Sequence, residues 1–184
     1  MKGFGKGLGL LVLALLVVVV FLRLFVLDLV NIDAADMFPT VGPGGFVIVN
    51  RRIEPQRGDL IMFRTREGKD IIRRVIGLPG EKVGMAGIMP IVDGKKAKQE
   101  EVRTYEDSGR KYRVLLEYLE GRSWNIIDDT VKSSPEWEER TITGGFFVLA
   151  DHREVGSDSR QFGMVAKSDI RGVVWRVWDK GATP

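Results

Sequence analysis

The segment Ala35–Arg51, ADMFPTVGPGGFVIVNR, marks where the chain changes from one long apolar run to short strands. Its Pro43-Gly44-Gly45 run predicts a turn, because these residue types favour tight backbone reversals. The apolar residues Phe46–Val49 that follow predict a short buried strand. We therefore expect the residues before this segment to place it at a membrane surface. We expect the residues after it to form β-strands that pack against it.

The N-terminal part of the chain is dominated by one apolar run. Leu8–Leu22 is apolar apart from Gly9, and Leu24–Leu27 extends the run beyond Arg23. About 20 such residues measure roughly 30 Å as a helix, enough to cross a bilayer. The sequence therefore predicts a single N-terminal transmembrane helix at residues 8–29.

Two lysines before the apolar run set the expected orientation. Lys2 and Lys6 lie in residues 1–7, and the positive-inside rule makes this segment the cytoplasmic N-terminus. We therefore predict a single-pass protein of the cell membrane with its folded domain on the extracellular side. A cleaved signal peptide is the alternative, with Ala34-Ala35 as small residues near the cut, but its apolar core would be unusually long.

Composition narrows the possible functions of the folded part. The 184 residues carry a formal charge of +3, with basic and acidic residues interspersed, so no nucleic-acid partner is expected. The chain has no cysteine, which excludes disulfides and thiolate chemistry. The single histidine and scattered carboxylates show no metal-ligand spacing, so we predict no metal and no cofactor.

Beyond Asp28 the chain reads as β-structure, with short apolar runs separated by Gly, Pro and Asp. Asp93-Gly94 is a two-residue signal typical of a hairpin turn. The predicted strands are Phe46–Val49, Leu60–Phe63, Asp70–Ile76, Tyr112–Leu119, Ser123–Ile127, Phe146–Leu149 and Gly172–Trp178.

Polarity divides the folded part into three segments. Residues 95–140 are more polar than their surroundings and are interpreted as an inserted subdomain or flap. Residues 30–94 and 141–180 would form the first and second parts of one core. Residues 181–184 are a predicted terminal tail.

Four collinear motifs carry a family resemblance. Met37-Phe38-Pro39-Thr40-Val41 resembles the nucleophile segment of type I signal peptidases, which are membrane-bound serine-lysine peptidases. Arg57–Phe63, Arg73–Glu81 and Ala150–Arg160 resemble three further motifs of that family, in the same order. The resemblance implies a mainly β fold, with a coiled antiparallel sheet core, an inserted β subdomain and an N-terminal membrane helix. The positions that match the scaffold motifs are Met37, Pro39, Thr40, Arg74, Gly77, Pro79, Gly80, Asp151, Arg153, Asp158, Ser159 and Arg160.

The chain departs from the family at the catalytic positions. The nucleophilic serine is matched by Asp36, and the general-base lysine by Arg73, whose guanidinium does not give up its proton. Two supporting serines are matched by Ala34 and Gly156. The resemblance therefore implies a member that has lost the dyad and is not an enzyme. The carboxylate and guanidinium are predicted to form a salt bridge in its place.

Other side chains near these motifs offer a weaker route to catalysis. Ser159 occupies a scaffold position, and Ser157 a variable one. His152 stands at the family's asparagine position and is interpreted as structural. Lys69, four residues before Arg73, would need a long reach to approach the site.

The resemblance also implies a groove for an extended peptide, bound by strand addition. Its predicted edges are Asp33, Ala34 and Ala35 on one side, and Asp70, Ile71 and Ile72 on the other.

Three functions follow from this interpretation. The main prediction is a binding or assembly factor for secreted or surface proteins, similar to the signal-peptidase-like proteins of pilus assembly, where pilin or sortase would be partners. One alternative is an active type I signal peptidase with a relocated nucleophile. The other is a structural partner in a secretion complex that uses the segment 95–140.

Overall fold

The strands follow from the short β-branched runs of the sequence, and one helix follows from the long apolar run. The computed structural model describes residues 4–129 and 136–179. In these residues the helices are α1 (Phe4–Phe25) and α2 (Ser159–Phe162), with a 3₁₀ turn at Lys167–Asp169. The strands are β1 (Leu27–Asn31), β2 (Phe46–Asn50), β3 (Leu60–Arg64), β4 (Asp70–Gly77), β5 (Lys82–Ala86), β6 (Met89–Val92), β7 (Lys95–Lys96), β8 (Lys98–Asp107), β9 (Arg110–Leu119), β10 (Arg122–Asp129), β11 (Trp137–Thr141), β12 (Gly145–Leu149), β13 (Val165–Ala166) and β14 (Ile170–Trp178).

A seven-stranded sheet forms the centre of the fold, in the order β1-β2-β14-β3-β4-β12-β13. Its paired strands are antiparallel, and register shifts interrupt the β14 and β12 pairings, where bulges bend a sheet. The strands predicted at residues 46–49, 60–63 and 70–76 are β2, β3 and β4. The prediction of a mainly β, antiparallel fold is confirmed.

Apolar clusters cover both faces of this sheet. On one face, Met37 and Val41 from the 32–45 loop pack with Met62 and Ile72. On the opposite face, Phe63 and Val75 pack with buried residues of β12, β13 and β14, and Ile71 and Phe162 lie against them. Strand β4 therefore separates two cores, because its side chains alternate between the faces.

Two smaller sheets complete the fold. Strands β11-β5-β6-β7 form a four-stranded sheet, and β10-β9-β8 a three-stranded one. Asp93-Gly94 connects β6 to β7, and both residues have positive φ, as a two-residue hairpin turn requires. The boundary expected at residue 95 falls within the four-stranded sheet, since β5 and β6 precede it while β7 and β11 follow it.

The N-terminal apolar run forms helix α1 (Phe4–Phe25), which ends four residues before the end of the helix expected at residues 8–29. Helix α1 ends at Phe25, and Leu27–Asn31 pairs antiparallel with β2 instead. In the parts of the chain that the structure describes, no helix is both long and apolar enough to span a bilayer. The predicted transmembrane helix is therefore not supported. Residues 27–29 of the expected helix belong to β1, because the apolar run continues from the helix into a half-buried strand.

Candidate active site

An ion pair occupies the site that the sequence motifs single out. Arg73 Nη2 lies 2.7 Å from Asp36 Oδ2, and the two side chains are 3% and 19% exposed. Asp36 stands directly before buried Met37 on the loop that covers one face of the sheet, and Arg73 lies on β4. The fold thus brings together two residues that are 37 positions apart, with their charged groups in direct contact.

The Arg73 guanidinium is held by backbone groups as well as by the carboxylate. Its Nε donates to the carbonyl oxygen of Ser157 at 2.7 Å, and its Nη1 donates to that of Ile72 at 2.5 Å. Three of the five guanidinium N–H groups therefore have acceptors, which leaves two donors. An arginine guanidinium does not give up its proton, so the Arg73 side chain can donate hydrogen bonds but cannot act as a base.

Gly156 leaves no room for a side chain beside the ion pair. A Cβ added there would lie 2.5 Å from the Ala150 Cβ, 3.1 Å from the Asp36 Cβ and 3.4 Å from Arg73 Nη2. A hydroxyl-bearing residue at this position would force its neighbours apart. The tightest contact is with Ala150, whereas Arg73 Nη2 is at an ordinary van der Waals distance, so Ala150 and Asp36 fill the space beside this glycine.

A cavity of about 210 Å³ opens next to Asp36. Of the six residues predicted to border the groove, five line this cavity, and Ala35 does not. The lining also includes residues that sequence reasoning missed, because β1 and β3 approach the loop only in the folded chain. The lining residues are Val30, Asn31, Ile32, Asp33, Ala34, Asp36, Met37, Val41, Met62, Asp70, Ile71 and Ile72.

Strand β4 presents an unpaired edge beside this cavity. It pairs with β3 through Asp70–Arg74 but with β12 only from Arg74 onward. Val75 exchanges backbone hydrogen bonds with Gly58 and Asp59 on the β3 side. Because this direction alternates along an antiparallel strand, Ile72 directs its N–H and C=O away from β3.

Asp70 at the start of this edge is held as a carboxylate. The pKa of Asp70 lies below its usual value, chiefly because Arg64 donates hydrogen bonds to it at 2.9 and 2.8 Å. Partial burial opposes this effect, and the positive charges of Arg64 and Arg171 add to it. The edge of the groove therefore carries a negative charge that Arg64 partly neutralises.

Buried hydrogen bonds fix the Asp36 loop against the sheet. Arg74 donates to both carboxylate oxygens of Asp151, at 2.7 and 2.5 Å, and to Thr40 Oγ1 at 2.9 Å. The Thr40 hydroxyl donates in turn to Asp151. These three side chains join β4, the Asp36 loop and the loop after β12, so they position the ion pair without contacting it.

The other candidate nucleophiles have structural roles or exposed positions. Ser159 Oγ accepts a hydrogen bond from the Val148 N–H at 2.9 Å, and Ser159 is 1% exposed. Asp158 accepts from the Ala150 N–H and pairs with Arg160. Ser157 is exposed, and its carbonyl oxygen supports Arg73.

His152 and Lys69 lie near the site in different ways. The backbone N–H of His152 donates to the Asp36 carbonyl oxygen at 3.0 Å, and its ring packs edge-on against Tyr112 with centroids 5.8 Å apart. Lys69 is exposed and lines a cavity together with Arg73. Among the described side chains, no group of His, Asp or Glu is arranged to hold a metal ion.

Comparison with known proteins gives a consistent set of relatives. Residues 6–178 match the family described as "Signal peptidase, peptidase S26". The chain is 34% identical over 166 residues to signal peptidase I of Bacillus caldolyticus, covering 88% of this chain and 85% of that protein. It is 30% identical over 159 residues to signal peptidase IB of Staphylococcus aureus, covering 84% and 79%. The crystal structure of a signal peptidase I from Enterococcus faecalis V583 is 25% identical, covers 66% of this chain and 97% of that one, and has a TM-score of 0.43.

These relatives correct the prediction that the chain is not an enzyme. That prediction rested on the replacements at four positions, Asp36, Arg73, Ala34 and Gly156. Proteins named as peptidases align with most of the chain at 30% and 34% identity, which points to a peptidase.

Proposed function

Because the chain belongs to the signal peptidase family, peptidase S26, we propose that it is an endopeptidase that cleaves the signal-peptide region of exported proteins. The observation that carries the proposal is the position of Asp36. Its partly exposed carboxylate lines a small cavity beside an unpaired strand edge. A groove of this kind accepts an extended peptide by strand addition.

Backbone groups would align the substrate along β4. Asp70 and Ile72 direct N–H and C=O groups to the free edge, although the Ile72 carbonyl already accepts from Arg73. A peptide strand therefore pairs with the Ile72 N–H and the Asp70 backbone groups. Every second side chain of that strand then points into the cavity of about 210 Å³, whose size favours small residues.

Water is the nucleophile in the proposed reaction. The Asp36 carboxylate takes a proton as the water oxygen attacks the scissile carbonyl carbon. When the C–N bond breaks, the protonated carboxyl returns that proton to the departing amine. The nucleophile is thus relocated from a side chain to a solvent molecule, and no covalent acyl-enzyme forms.

Arg73 supplies the charge that this reaction needs. The attack places a negative charge on the carbonyl oxygen, and fixed donors that are aimed at this atom stabilise it. The two remaining guanidinium N–H groups of Arg73 can act as these donors, since Ser157, Ile72 and Asp36 hold the other three. The backbone contacts keep the guanidinium rigid during the reaction.

The test is cleavage of a synthetic signal-peptide substrate by the purified full chain. We expect turnover above the buffer rate at one peptide bond, which follows a small residue. Intact-protein mass spectrometry during turnover should show only the unmodified chain, since no acyl group is transferred to it. The variants Ser157→Ala and Ser159→Ala should still cleave the substrate, since neither hydroxyl takes part in the proposed reaction.

Two results would contradict the proposed reaction. An acyl adduct on any side chain would show a covalent nucleophile instead of water. Turnover no faster than in buffer, with several signal-peptide sequences and a correctly folded chain, would remove the proposal of peptidase activity.

We also propose that α1 attaches the domain to a lipid bilayer, on the outer face of the cell membrane. The described side chains of α1 are apolar apart from Arg23, and the large apolar side chains between Leu8 and Phe21 are at least half exposed around the helix. A helix packed on protein would hide one apolar face, whereas an apolar surface on all sides suits lipid.

Vesicle flotation tests this attachment. The full chain should float with phosphatidylglycerol-containing vesicles, and a variant that carries Leu11→Lys and Leu15→Lys should remain largely in the dense fraction. The control variant introduces two lysines at exposed apolar positions outside α1, as Val102→Lys and Val155→Lys. Equal flotation of all three proteins would contradict a role of α1 in attachment.

The proposed partner in this function is the exported protein itself, presented as an extended segment. Pilin and sortase stay predictions from analogy. A contact through the segment 95–140 also stays a prediction, and β8 is one of the edge strands in the described part of that segment.

A further inference from the structure

A second cavity, of about 430 Å³, lies on the opposite face of β4 from the Asp36 cavity. Its apolar wall is formed by Phe63, Ile71, Phe162, Met164 and Val165. Phe63 and Val165 belong to the buried core of that face, and Phe162 packs against them. The wall is therefore part of the fixed framework.

The free edge of β4 lies between the two cavities. Asp70 and Ile72 line the Asp36 cavity, whereas Lys69 and Arg73 line the second one. Ile71 borders both. A peptide strand that pairs with this edge has the same alternation, so adjacent side chains of the peptide would enter different cavities.

Charge around the second cavity discriminates between side chains. Four basic residues and two acidic residues line it, so its net charge is positive: Arg64, Arg66, Lys69, Arg73, Glu67 and Asp169. A cationic side chain in this cavity would be repelled by Arg73 and Lys69. It would also lose its hydration against an apolar wall, which costs free energy. An apolar side chain would instead bury its surface against Phe162 and Met164.

We propose that the second cavity is a specificity site for a bulky apolar side chain of the bound peptide. The position is adjacent in sequence to the residue whose small side chain enters the Asp36 cavity. This inference rests on the proposed function, since it requires a peptide on the free edge of β4. It adds a sequence requirement that the Asp36 cavity alone does not impose.

Binding of three fluorescein-labelled peptides to the full chain in detergent micelles tests the proposal. All three peptides have small residues at alternate positions. They differ at one position between two of these small residues, which is Leu, Ala or Lys. Fluorescence anisotropy should show the Leu peptide binding about tenfold more tightly than the Ala peptide, because one side chain leaves water. The Lys peptide should bind more weakly than the Ala peptide.

A filled cavity provides the matched variant. Met164→Trp should reduce binding of the Leu peptide to the level of the Ala peptide and leave the Ala peptide unchanged. Val102→Trp, at an exposed position on β8, adds the same side chain elsewhere and should preserve the tenfold preference. Equal affinity of the Leu and Ala peptides for the unmodified chain would overturn the specificity site alone. Absence of binding by all three peptides would overturn the proposed function and this inference together.

Discussion

Replacing Asp36 by Asn is expected to lower kcat/KM for a signal-peptide substrate by about 10²–10⁴-fold, the usual contribution of a general base. The amide keeps the size of the side chain and can still accept a hydrogen bond from Arg73. It cannot take a proton from water, so the chemical step loses its base while the groove is preserved. Steady-state cleavage assays measure the rate, and peptide anisotropy should show affinity changed less than about threefold.

Asp33→Asn is the matched control for this prediction. Asp33 is exposed, lines the same cavity and undergoes the same chemical change, but it makes no ion pair with Arg73. Its kcat/KM should fall by less than about threefold, since it contributes an exposed, solvent-screened charge that is not paired with Arg73. If Asp36→Asn and Asp33→Asn behaved alike in a folded chain, Asp36 would not be the base.

A double substitution distinguishes the two chemistries. Asp36→Ser with Arg73→Lys introduces a hydroxyl and an amine, and a lysine that is partly removed from water can lose its proton and activate the serine. An acyl adduct should then be trapped on the double variant and not on the unmodified chain. Gly156 would still supply no hydroxyl next to the amine, so turnover should stay modest.

The sequence predicted those parts of the fold that depend on local pattern. Phe46–Val49, Leu60–Phe63 and Asp70–Ile76 are short apolar runs bounded by turn residues, and each is a strand with nearly the expected limits. Residues Asp93-Gly94 have the φ values of the expected hairpin. Periodicity could not separate α1 from β1, because the end of an apolar helix and a half-buried edge strand share the same composition.

The sequence predicted only those site residues that lie within the four motifs. Collinear motifs indicated that Asp36 and Arg73 occupy equivalent places in one site, and opposite charges suggested how they meet. The contacts of Arg73 with the carbonyls of Ser157 and Ile72 had no sequence signal, because any residue supplies a carbonyl. The second cavity was equally hidden, since its wall combines residues from β3, β4, α2 and β13.

Glu117→Gln is expected to lower the free energy of unfolding by about 3–5 kcal/mol, as when one partner of a buried ion pair is removed. Glu117 and Arg153 are fully buried, and Arg153 Nη2 lies 2.5 Å from Glu117 Oε1. Trp124 and Gln99 also donate to this carboxylate, at 3.0 and 2.7 Å. The neutral amide of the Glu117→Gln variant would leave the positive charge of Arg153 without a counter-charge. Its N–H groups would also face the donors of Trp124 and Gln99. Differential scanning calorimetry should show Tm lower by about 10 °C.

Controls separate the buried pair from the chemical change itself. Glu138→Gln on exposed β11 should change the free energy of unfolding by less than about 0.5 kcal/mol. Glu117→Leu combined with Arg153→Met removes both charges, so it should cost less stability than Glu117→Gln alone. Arg153 lies in the loop after β12, which also carries Gly156 and Ser157, and the carbonyl oxygen of Ser157 accepts a hydrogen bond from Arg73. Glu117→Gln should therefore lose peptidase activity at temperatures where the sheets are still folded. Equal stability of Glu117→Gln and Glu138→Gln would show that the Glu117–Arg153 ion pair does not hold this loop.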